Sequence, residues 1–175
     1  AFEYLDSSTG NEEGAKTNRC GLDDVKFMPA ILRGKLMPKT DIKFMGINYK
    51  HPFGIAPIGM SGLIWPKAEF KLAAAAKRYR IPYCLSTVAA ATPEEVASLA
   101  EDMGWFQLYP AEKEAIWKDI LFRVKSSGFK TLVITVDVPG ESRRERQRRA
   151  HLTTPLRLNI KMLTSMLMCP RWLVG

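Results

Sequence analysis

Short apolar segments alternate along this chain with longer segments that have the periodicity of helices. Helical spacing of apolar residues is clear in 66–80, where Phe70, Leu72, Ala73 and Ala76 recur on one side. The apolar segments have the length of buried strands and are residues 54–60, 81–87, 105–110 and 130–139. Strands that are regularly separated by helices predict a parallel sheet covered by helices, which is an α/β fold.

Two further helices have sequence signals at their ends. Thr92, Pro93 and Glu95 predict an N-cap, a first-turn proline and a capping-box partner at the start of a helix over 93–102. Another helix is predicted over 112–128, where Gly128 is expected to end it.

Parallel strands build either an open doubly wound sheet or a (β/α)8 barrel. The glycines of GIAPIGMSG, residues 54–62, do not have the G-x-G-x-x-G spacing of an open dinucleotide-binding sheet. Polar or small residues instead lie at the C-terminal end of each strand segment, where it gives way to its loop, which is typical of a barrel mouth. They are Gly59, Ser86, Thr87, Gln107, Tyr109, Thr135 and Asp137. The pattern therefore favours a barrel, of which four βα units are half.

Composition narrows the class of protein. A chain of 175 residues with 46% hydrophobic residues can bury one good core. Cys20, Cys84 and Cys169 are far apart and odd in number, which argues against a disulfide framework or a metal site and for a reducing compartment. The sequence shows no initial Met, no signal peptide and no apolar run long enough to span a bilayer. We expect a cytoplasmic protein without a bound metal.

Charge leaves several partners open. The net charge is +8, and five arginines crowd into residues 143–149. Such a block fits nucleic acid, an anionic membrane or a small anionic substrate, and most often it is a solvated face. It lacks the interleaved aromatic residues that stack on bases, so we expect no nucleic-acid partner.

Five motifs in order along the chain carry a family resemblance. They are EYLDSSTGNEE…NR (3–19), IAPIGMSGLIWPK (55–67), LST (85–87), WFQLY (105–109) and TVDVPGESRRE (135–145). The chain resembles the FMN-dependent α-hydroxy acid oxidases and dehydrogenases over nearly its whole length. GMSGLIWPK and the C-terminal CPRWLVG are most similar to the branch that holds mandelate dehydrogenase and bacterial lactate dehydrogenase.

The resemblance implies substrate and catalytic residues. Tyr4 matches a tyrosine that hydrogen-bonds the substrate carboxylate, and Tyr109 matches one near the reacting hydroxyl. Arg144 matches an arginine that holds the substrate, and Asp137 matches the aspartate that orients the catalytic histidine. The implied reaction oxidises an (S)-2-hydroxy acid, such as lactate or mandelate, to the 2-oxo acid and passes the electrons to a quinone or another acceptor.

The resemblance also implies the cofactor, FMN, and its contacts. Pro57, Ile58 and Gly59 match a turn against the flavin ring. Side chains matching the hydrogen-bonding partners of the flavin are Ser86, Gln107 and Thr135. Glycine at 59, where the oxidases usually have alanine, favours a dehydrogenase, whereas Gln147 departs from the acidic residue usual in this family.

The resemblance further implies that this chain is incomplete for catalysis. The family's histidine base and a supporting lysine lie on later strands, so we expect a second chain with the C-terminal half of the barrel. Residues 1–53 would be a lead-in, 54–150 four βα units, and 151–175 the start of a variable loop. Family members are often homo-oligomers, and in this branch the loop attaches the enzyme to the membrane. Met162, Leu163, Met166 and Leu167 form an apolar stripe suited to such peripheral contact, although a stripe of this kind is more often core.

Without the resemblance, simpler interpretations stay open. Tyr109 would be a core aromatic residue, and Asp137 a helix N-cap or the ion-pair partner of an arginine. Ser86 and Thr135 would satisfy backbone groups at strand ends, and Gly59 would be a turn residue. The alternative function is a non-enzymatic basic protein that binds nucleic acid or an anionic membrane through its arginine block.

Overall fold

The computed structural model describes residues 2–35, 37–137, 143–149 and 160–174. The chain divides into two compact units, which are described separately below. The first unit comprises Ala1–Pro38 and Pro139–Cys169, and the second comprises Lys39–Val138 and Pro170–Gly175.

The elements are numbered in chain order. They are α1 Phe2–Asp6, α2 Glu13–Asp23, β1 Ile42–Phe44, β2 Ile47–Tyr49, α3 Ser61–Ile64, α4 Ala68–Tyr79, β3 Tyr83–Ser86, α5 Pro93–Ala100, a 3₁₀ turn Glu101–Met103, β4 Gly104–Leu108, α6 Glu114–Ser126, β5 Thr131–Ile134, α7 Glu145–Arg149, α8 Ile160–Leu167 and α9 Pro170–Val174.

A three-stranded parallel sheet in the order β3-β4-β5 is the centre of the second unit. Ser86 pairs with Gln107, and Gln107 pairs with Val133, so neighbours in sequence are neighbours in the sheet. β3 and β5 lie within predicted apolar segments and are shorter than the predictions at both ends. β4 begins at Gly104, one residue before the predicted segment 105–110, and ends two residues earlier. Residues 138 and 139 of the last segment lie outside the described residues. The predicted α/β class with a parallel sheet is confirmed.

The first predicted strand, 54–60, is wrong as a continuous element. Only Ile55 pairs with the sheet, as a parallel bridge to Tyr83. Its N–H donates to Pro82 O at 2.8 Å, and its carbonyl accepts from Cys84 N at 3.0 Å. The next bond of a parallel ladder would need an N–H at position 57, which is a proline and has none. The ladder therefore ends after one residue.

The hydrophobic core lies between the sheet and helices α4, α5 and α6. Tyr83, Leu85, Phe106 and Leu108 project from one face of the strands and are almost fully buried. The helices meet them with small or branched side chains, which are Ala73, Ala76, Val96, Ala100 and Val124. Small alanines let α4 approach the sheet closely, and they also favour the helix itself.

Local signals fix the helix ends. The predicted capping box is present, because Thr92 Oγ1 accepts from Glu95 N while the Glu95 carboxylate accepts from Thr92 N. Gly128 has a φ of +95°, a conformation that suits glycine, and it follows α6 as predicted. Arg123 of α6 binds Glu94 of α5 through two bonds of 2.6 and 3.0 Å, which joins the two helices. This pairing lowers the pKa of Glu94 to about 2.

The hairpin β1-β2 is an element that the sequence analysis did not predict. Met45 and Gly46 connect its strands, and both have positive φ, as the tight hairpin turn with matching twist requires. Trp105 of β4 donates its indole N–H to Tyr49 of β2 at 3.0 Å, and Phe44 of β1 contacts the same indole ring. The hairpin therefore packs on the sheet face opposite to the helices.

Helices α1, α2, α7 and α8 belong to the first unit. Gly10 donates its N–H to Arg143 O at 2.7 Å and forms a bridge with Arg144, which places the segment after α1 beside the start of α7. Among the described residues, no helix is long and apolar enough to cross a membrane.

We predict that Thr92→Ala lowers the free energy of unfolding by about 1 kcal/mol, because it removes the N-cap acceptor of α5. Urea unfolding measures this change. Ser98→Ala, at an exposed position of the same helix, is the matched control and should change stability by less than about 0.5 kcal/mol. Equal effects of the two substitutions would contradict the role of the cap.

Candidate functional site

One face of the sheet, opposite to the helices, presents its polar residues together. Side chains alternate between faces along a strand, so Cys84 shares a face with Ser86, Trp105 with Gln107, and Val133 with Thr135. Cys84, Trp105 and Val133 line an apolar cavity of about 470 Å³ together with the β1-β2 hairpin. We call this the inner face. Ser86, Gln107 and Thr135 lie toward the carboxyl ends of the strands.

Ser86, Gln107 and Thr135 form a hydrogen-bonded row across the inner face, which we call the polar ladder. Ser86 Oγ donates to Gln107 Oε1 at 3.0 Å, and Gln107 Nε2 donates to Thr135 Oγ1 at 2.9 Å. Gln107 is only 2% exposed, and Ser86 is also buried. The structure thus brings together three residues, from three segments of the chain, that the sequence analysis assigned to one site.

Thr87 extends this arrangement past the ends of the strands. Its hydroxyl donates to Gln107 O at 2.6 Å and accepts from Tyr109 N at 3.0 Å. The backbone at Tyr109 is therefore fixed to the loop after β3, while the Tyr109 side chain is exposed.

The segment after Ile55 lies along the same end of the second unit. Pro57 and Ile58 are exposed and Gly59 is half-buried. Met60 N donates to Val88 O at 2.8 Å, which joins this turn to the loop that follows β3. The three predicted cofactor residues 57–59 thus adjoin the loop that begins at Ser86.

Glu69 of α4 is a buried carboxylate that joins α3, which follows the turn, to the loop after β3. It is 1% exposed, and its Oε1 accepts from Gly62 N at 3.0 Å and from Ala90 N at 3.1 Å. Burial raises the pKa of Glu69, but hydrogen bonds from the Ser61 hydroxyl and from backbone N–H groups outweigh it, so the pKa is lowered from its usual 4.5. The carboxylate is therefore ionised at neutral pH.

Cys84 on the inner face is not a reactive thiol. Burial raises its pKa to about 11, so the protonated form dominates at neutral pH. This agrees with a packing role in the wall of the cavity.

In the first unit, Arg144 contacts the backbone of Tyr4, and the resemblance assigns both residues to substrate binding. Arg144 Nη1 donates to Tyr4 O at 3.5 Å. Gln147, which departs from the family pattern, donates its Nε2 to the same carbonyl at 3.4 Å. The acidic residue that is usual at position 147 could not donate this hydrogen bond, whereas the amide of Gln147 donates it and so contacts α1.

The arginine block is not a uniform solvated face. Arg146 binds the carboxylates of Glu3, Asp6 and Glu12, whereas the Arg148 side chain binds, among the described residues, only its helix neighbour Glu145. The hydrogen bonds that Arg146 donates to Asp6 and Glu3 raise the pKa of its guanidinium above the usual value. Because internal carboxylates occupy Arg146, it is unsuited to gripping phosphates of nucleic acid.

Asp137 lies just beyond the end of β5 and is exposed. The interpretations of Asp137 as a helix N-cap or an ion-pair partner gain no support from the described contacts. Its predicted role with a histidine depends on residues outside the described part of the chain.

The sequence analysis named Thr87 at a strand end without a specific role, missed Glu69, and did not single out Arg146 within the arginine block. Glu69 could have been found, because it lies at i, i+4 and i+7 with the buried residues Ala73 and Ala76 of the same helix. A carboxylate on the buried side of a helix needs hydrogen-bond donors, so its position in the sequence predicts a structural role. Arg146 could not be distinguished from the four arginines around it by sequence alone.

The fold and the site define a class of protein. It is an α/β protein with consecutive parallel strands, whose carboxyl ends carry a buried, neutral polar ladder beside a carboxylate that joins α3 to the loop after β3. Ligand sites of parallel α/β proteins lie at this end of the strands.

Comparison with known proteins gives the family. The model of the family described as FMN-dependent dehydrogenase matches residues 1–175, so the chain belongs to that family. An L-lactate dehydrogenase of Pseudomonas syringae pv. syringae (strain B728a) is 32% identical over 94% of this chain. The (S)-mandelate dehydrogenase of Pseudomonas putida is 30% identical over 98%.

Solved structures agree in fold. The crystal structure of the monotopic membrane protein (S)-mandelate dehydrogenase covers 99% of this chain with a TM-score of 0.90 and 30% identity. The chain spans less than half of these relatives: 43% of each of the two sequences and 46% of the solved chain.

We predict that Glu69→Gln lowers the free energy of unfolding at neutral pH by about 1 to 3 kcal/mol, because a charged acceptor is lost. The folded pKa lies below 4.5, so the contribution of Glu69 is complete above that pH and is lost as the pH falls through the folded value. Urea unfolding across acid pH should therefore show the two proteins converging.

Glu112→Gln is the control for this measurement, because Glu112 is exposed. It should change stability by less than about 0.5 kcal/mol at any pH. A difference between wild type and Glu69→Gln that stays constant down to low pH would contradict the assignment.

Proposed function

We propose that this chain is part of an FMN-dependent dehydrogenase that oxidises an (S)-2-hydroxy acid, such as lactate or mandelate, to the 2-oxo acid. Family membership supports the class of reaction, and the observation that carries the proposal for these residues is the buried polar ladder. Electrons would pass to a quinone or another acceptor. Gly59, where the oxidases have alanine, favours a dehydrogenase over an oxidase.

We infer that the chain is the N-terminal half of a (β/α)8 barrel. The consecutive order Ile55, β3, β4, β5, with every pair parallel, supports a barrel over a doubly wound sheet. Residues 1–53 would lead into the barrel, 54–150 would carry its first four βα units, and 151–175 would begin a variable loop.

The polar ladder fits a flavin ring. Gln107 has two amide N–H donors, of which one reaches Thr135, and the Thr135 hydroxyl has its own donor. Neutral donors and acceptors suit the carbonyl and imide edge of an isoalloxazine, and Pro57, Ile58 and Gly59 would lie against the ring. FMN, when bound, accepts the two electrons of the oxidation, and the chain supplies orientation and polarity.

Four residues would act on the substrate and its protons. Tyr4 and Arg144 would bind the substrate carboxylate, because a phenol and a guanidinium both donate hydrogen bonds to it. Tyr109 would contact the reacting hydroxyl. Asp137 would orient the histidine base in the second half of the barrel and stabilise its protonated form.

The second half of the barrel is the partner that we propose. Among the described residues β5 pairs only with β4, so its other edge is left for another strand. On the helix-covered face, Leu132 is 39% and Ile134 is 52% exposed, whereas the matching residues of β3 and β4 are buried. A further helix would cover them. Assembly into a homo-oligomer is a proposal from the family alone.

We place the protein in the cytoplasm, with peripheral contact to a membrane through its C-terminal segment. Leu163, Leu167 and Leu173 are exposed, and Arg171 can bind anionic headgroups. A solved relative is described as a monotopic membrane protein. Of the predicted stripe, the side chain of Met162 lies outside the described residues.

Absorption spectroscopy of the undissociated protein tests this function. Without oxygen, L-lactate or (S)-mandelate should bleach the bands of oxidised flavin. We predict that Gln107→Leu lowers flavin affinity about tenfold, since it removes the centre of the polar ladder. Asn48→Leu, which replaces an exposed amide in β2, should leave affinity unchanged. A wild-type flavin that neither acid bleaches would contradict the proposal, and full affinity in Gln107→Leu would contradict the assigned site.

A further inference from the structure

Helix α1, which contains Tyr4, is too short to be stable without contacts to the rest of the first unit. It is five residues long and has no buried residue. An isolated helix of that length has no stability in water, because nucleation is unfavourable. Contacts with the rest of the first unit must therefore fix it.

Arg146 supplies the strongest of these contacts. Its Nε donates to Glu3 Oε2 at 2.7 Å and its Nη2 donates to Asp6 Oδ2 at 2.7 Å. Glu3 and Asp6 are three residues apart, so they lie on one side of α1 and flank Tyr4 in the sequence. Nη1 donates to Glu12 Oε1 at 3.1 Å, just before α2.

The other side-chain contacts between residues 143–149 and α1 are weaker. Arg144 and Gln147 reach only Tyr4 O, at 3.5 and 3.4 Å, which is long for a hydrogen bond. The Arg146 guanidinium is 32% exposed and binds three carboxylates at once, and a shared network of this kind is stronger than an isolated surface pair.

We propose that Arg146 is a positioning residue: by clamping α1 through Glu3 and Asp6, it holds Tyr4 beside Arg144 so that both bind the substrate carboxylate. This inference rests on the proposed function. It gives a specific role to a second arginine of the block, one that does not itself touch the substrate.

The clamp acts on substrate affinity and not on the chemical step. Without Arg146, α1 would be docked in a smaller fraction of molecules, and apparent affinity falls in proportion to that fraction. At saturating concentration, the substrate binds molecules in which α1 is docked and so shifts the whole population to that form. Loss of Arg146 should therefore raise KM while kcat changes little.

The test is Arg146→Gln in the undissociated flavoprotein, with L-lactate or (S)-mandelate as the substrate. We expect KM to rise about tenfold, kcat to stay within about twofold, and flavin content to be unchanged. Amide hydrogen exchange of residues 2–6 should become faster. Arg148→Gln is the matched control on the same helix, because within the described part of the chain the Arg148 side chain binds only Glu145, at an exposed position, and it should leave all four quantities unchanged.

A double-mutant cycle with Tyr4→Phe separates positioning from general destabilisation. If Arg146 acts through Tyr4, Arg146→Gln should raise KM much less in the Tyr4→Phe background than in the wild type. Arg146→Lys, which keeps the charge but not the forked donors, should fall between wild type and Arg146→Gln.

The outcomes are distinct. An unchanged KM in Arg146→Gln would overturn the inference, and so would an equal increase in KM in the wild-type and Tyr4→Phe backgrounds. Either result leaves the proposed function standing if substrate bleaches the wild-type flavin. A fall in kcat alone would also overturn the inference. A wild-type flavin that neither acid bleaches would contradict the proposed function itself, and the substrate role of Arg146 with it.

Discussion

The side chain of Gln107 is the constraint on which the site depends. An amide in the middle of an apolar strand is costly to bury unless its donors and acceptors are satisfied. Gln107 meets this requirement by accepting from Ser86 on one neighbouring strand and donating to Thr135 on the other. The same bonds fix the register of three strand ends and leave neutral polar groups facing the place where a flavin would lie. Stability and the proposed recognition of FMN therefore rest on the same contacts.

Much of the second unit could be predicted from sequence because its signals are local. The capping box at Thr92 and Glu95 depends on residues three apart, and the glycine that follows α6 depends on one backbone angle. The prediction of a continuous first strand was wrong for an equally local reason, because Pro57 has no N–H to continue the ladder. The hairpin β1-β2 was missed because its turn, Met45-Gly46, lacks the usual Asn-Gly or Asp-Gly signature.

The candidate site was predicted only in part, because its supporting contacts join distant parts of the chain. Ser86, Gln107 and Thr135 were identified from the family resemblance, and the structure adds how they bind one another. The salt bridges of Arg146 to Glu3 and Asp6 join residues more than a hundred positions apart, and no periodicity marks them. The exposure of Leu132 and Ile134 also could not be predicted from their apolar segment, because no described residue covers them.

The central claim is that these 175 residues form one wall of a flavin site that another half of a barrel completes. Native mass spectrometry of the undissociated protein tests it most directly. We expect a mass that exceeds that of residues 1–175 by a second half of the barrel, in the same polypeptide or in another, together with bound FMN. A lone chain of 175 residues that folds without flavin would contradict it.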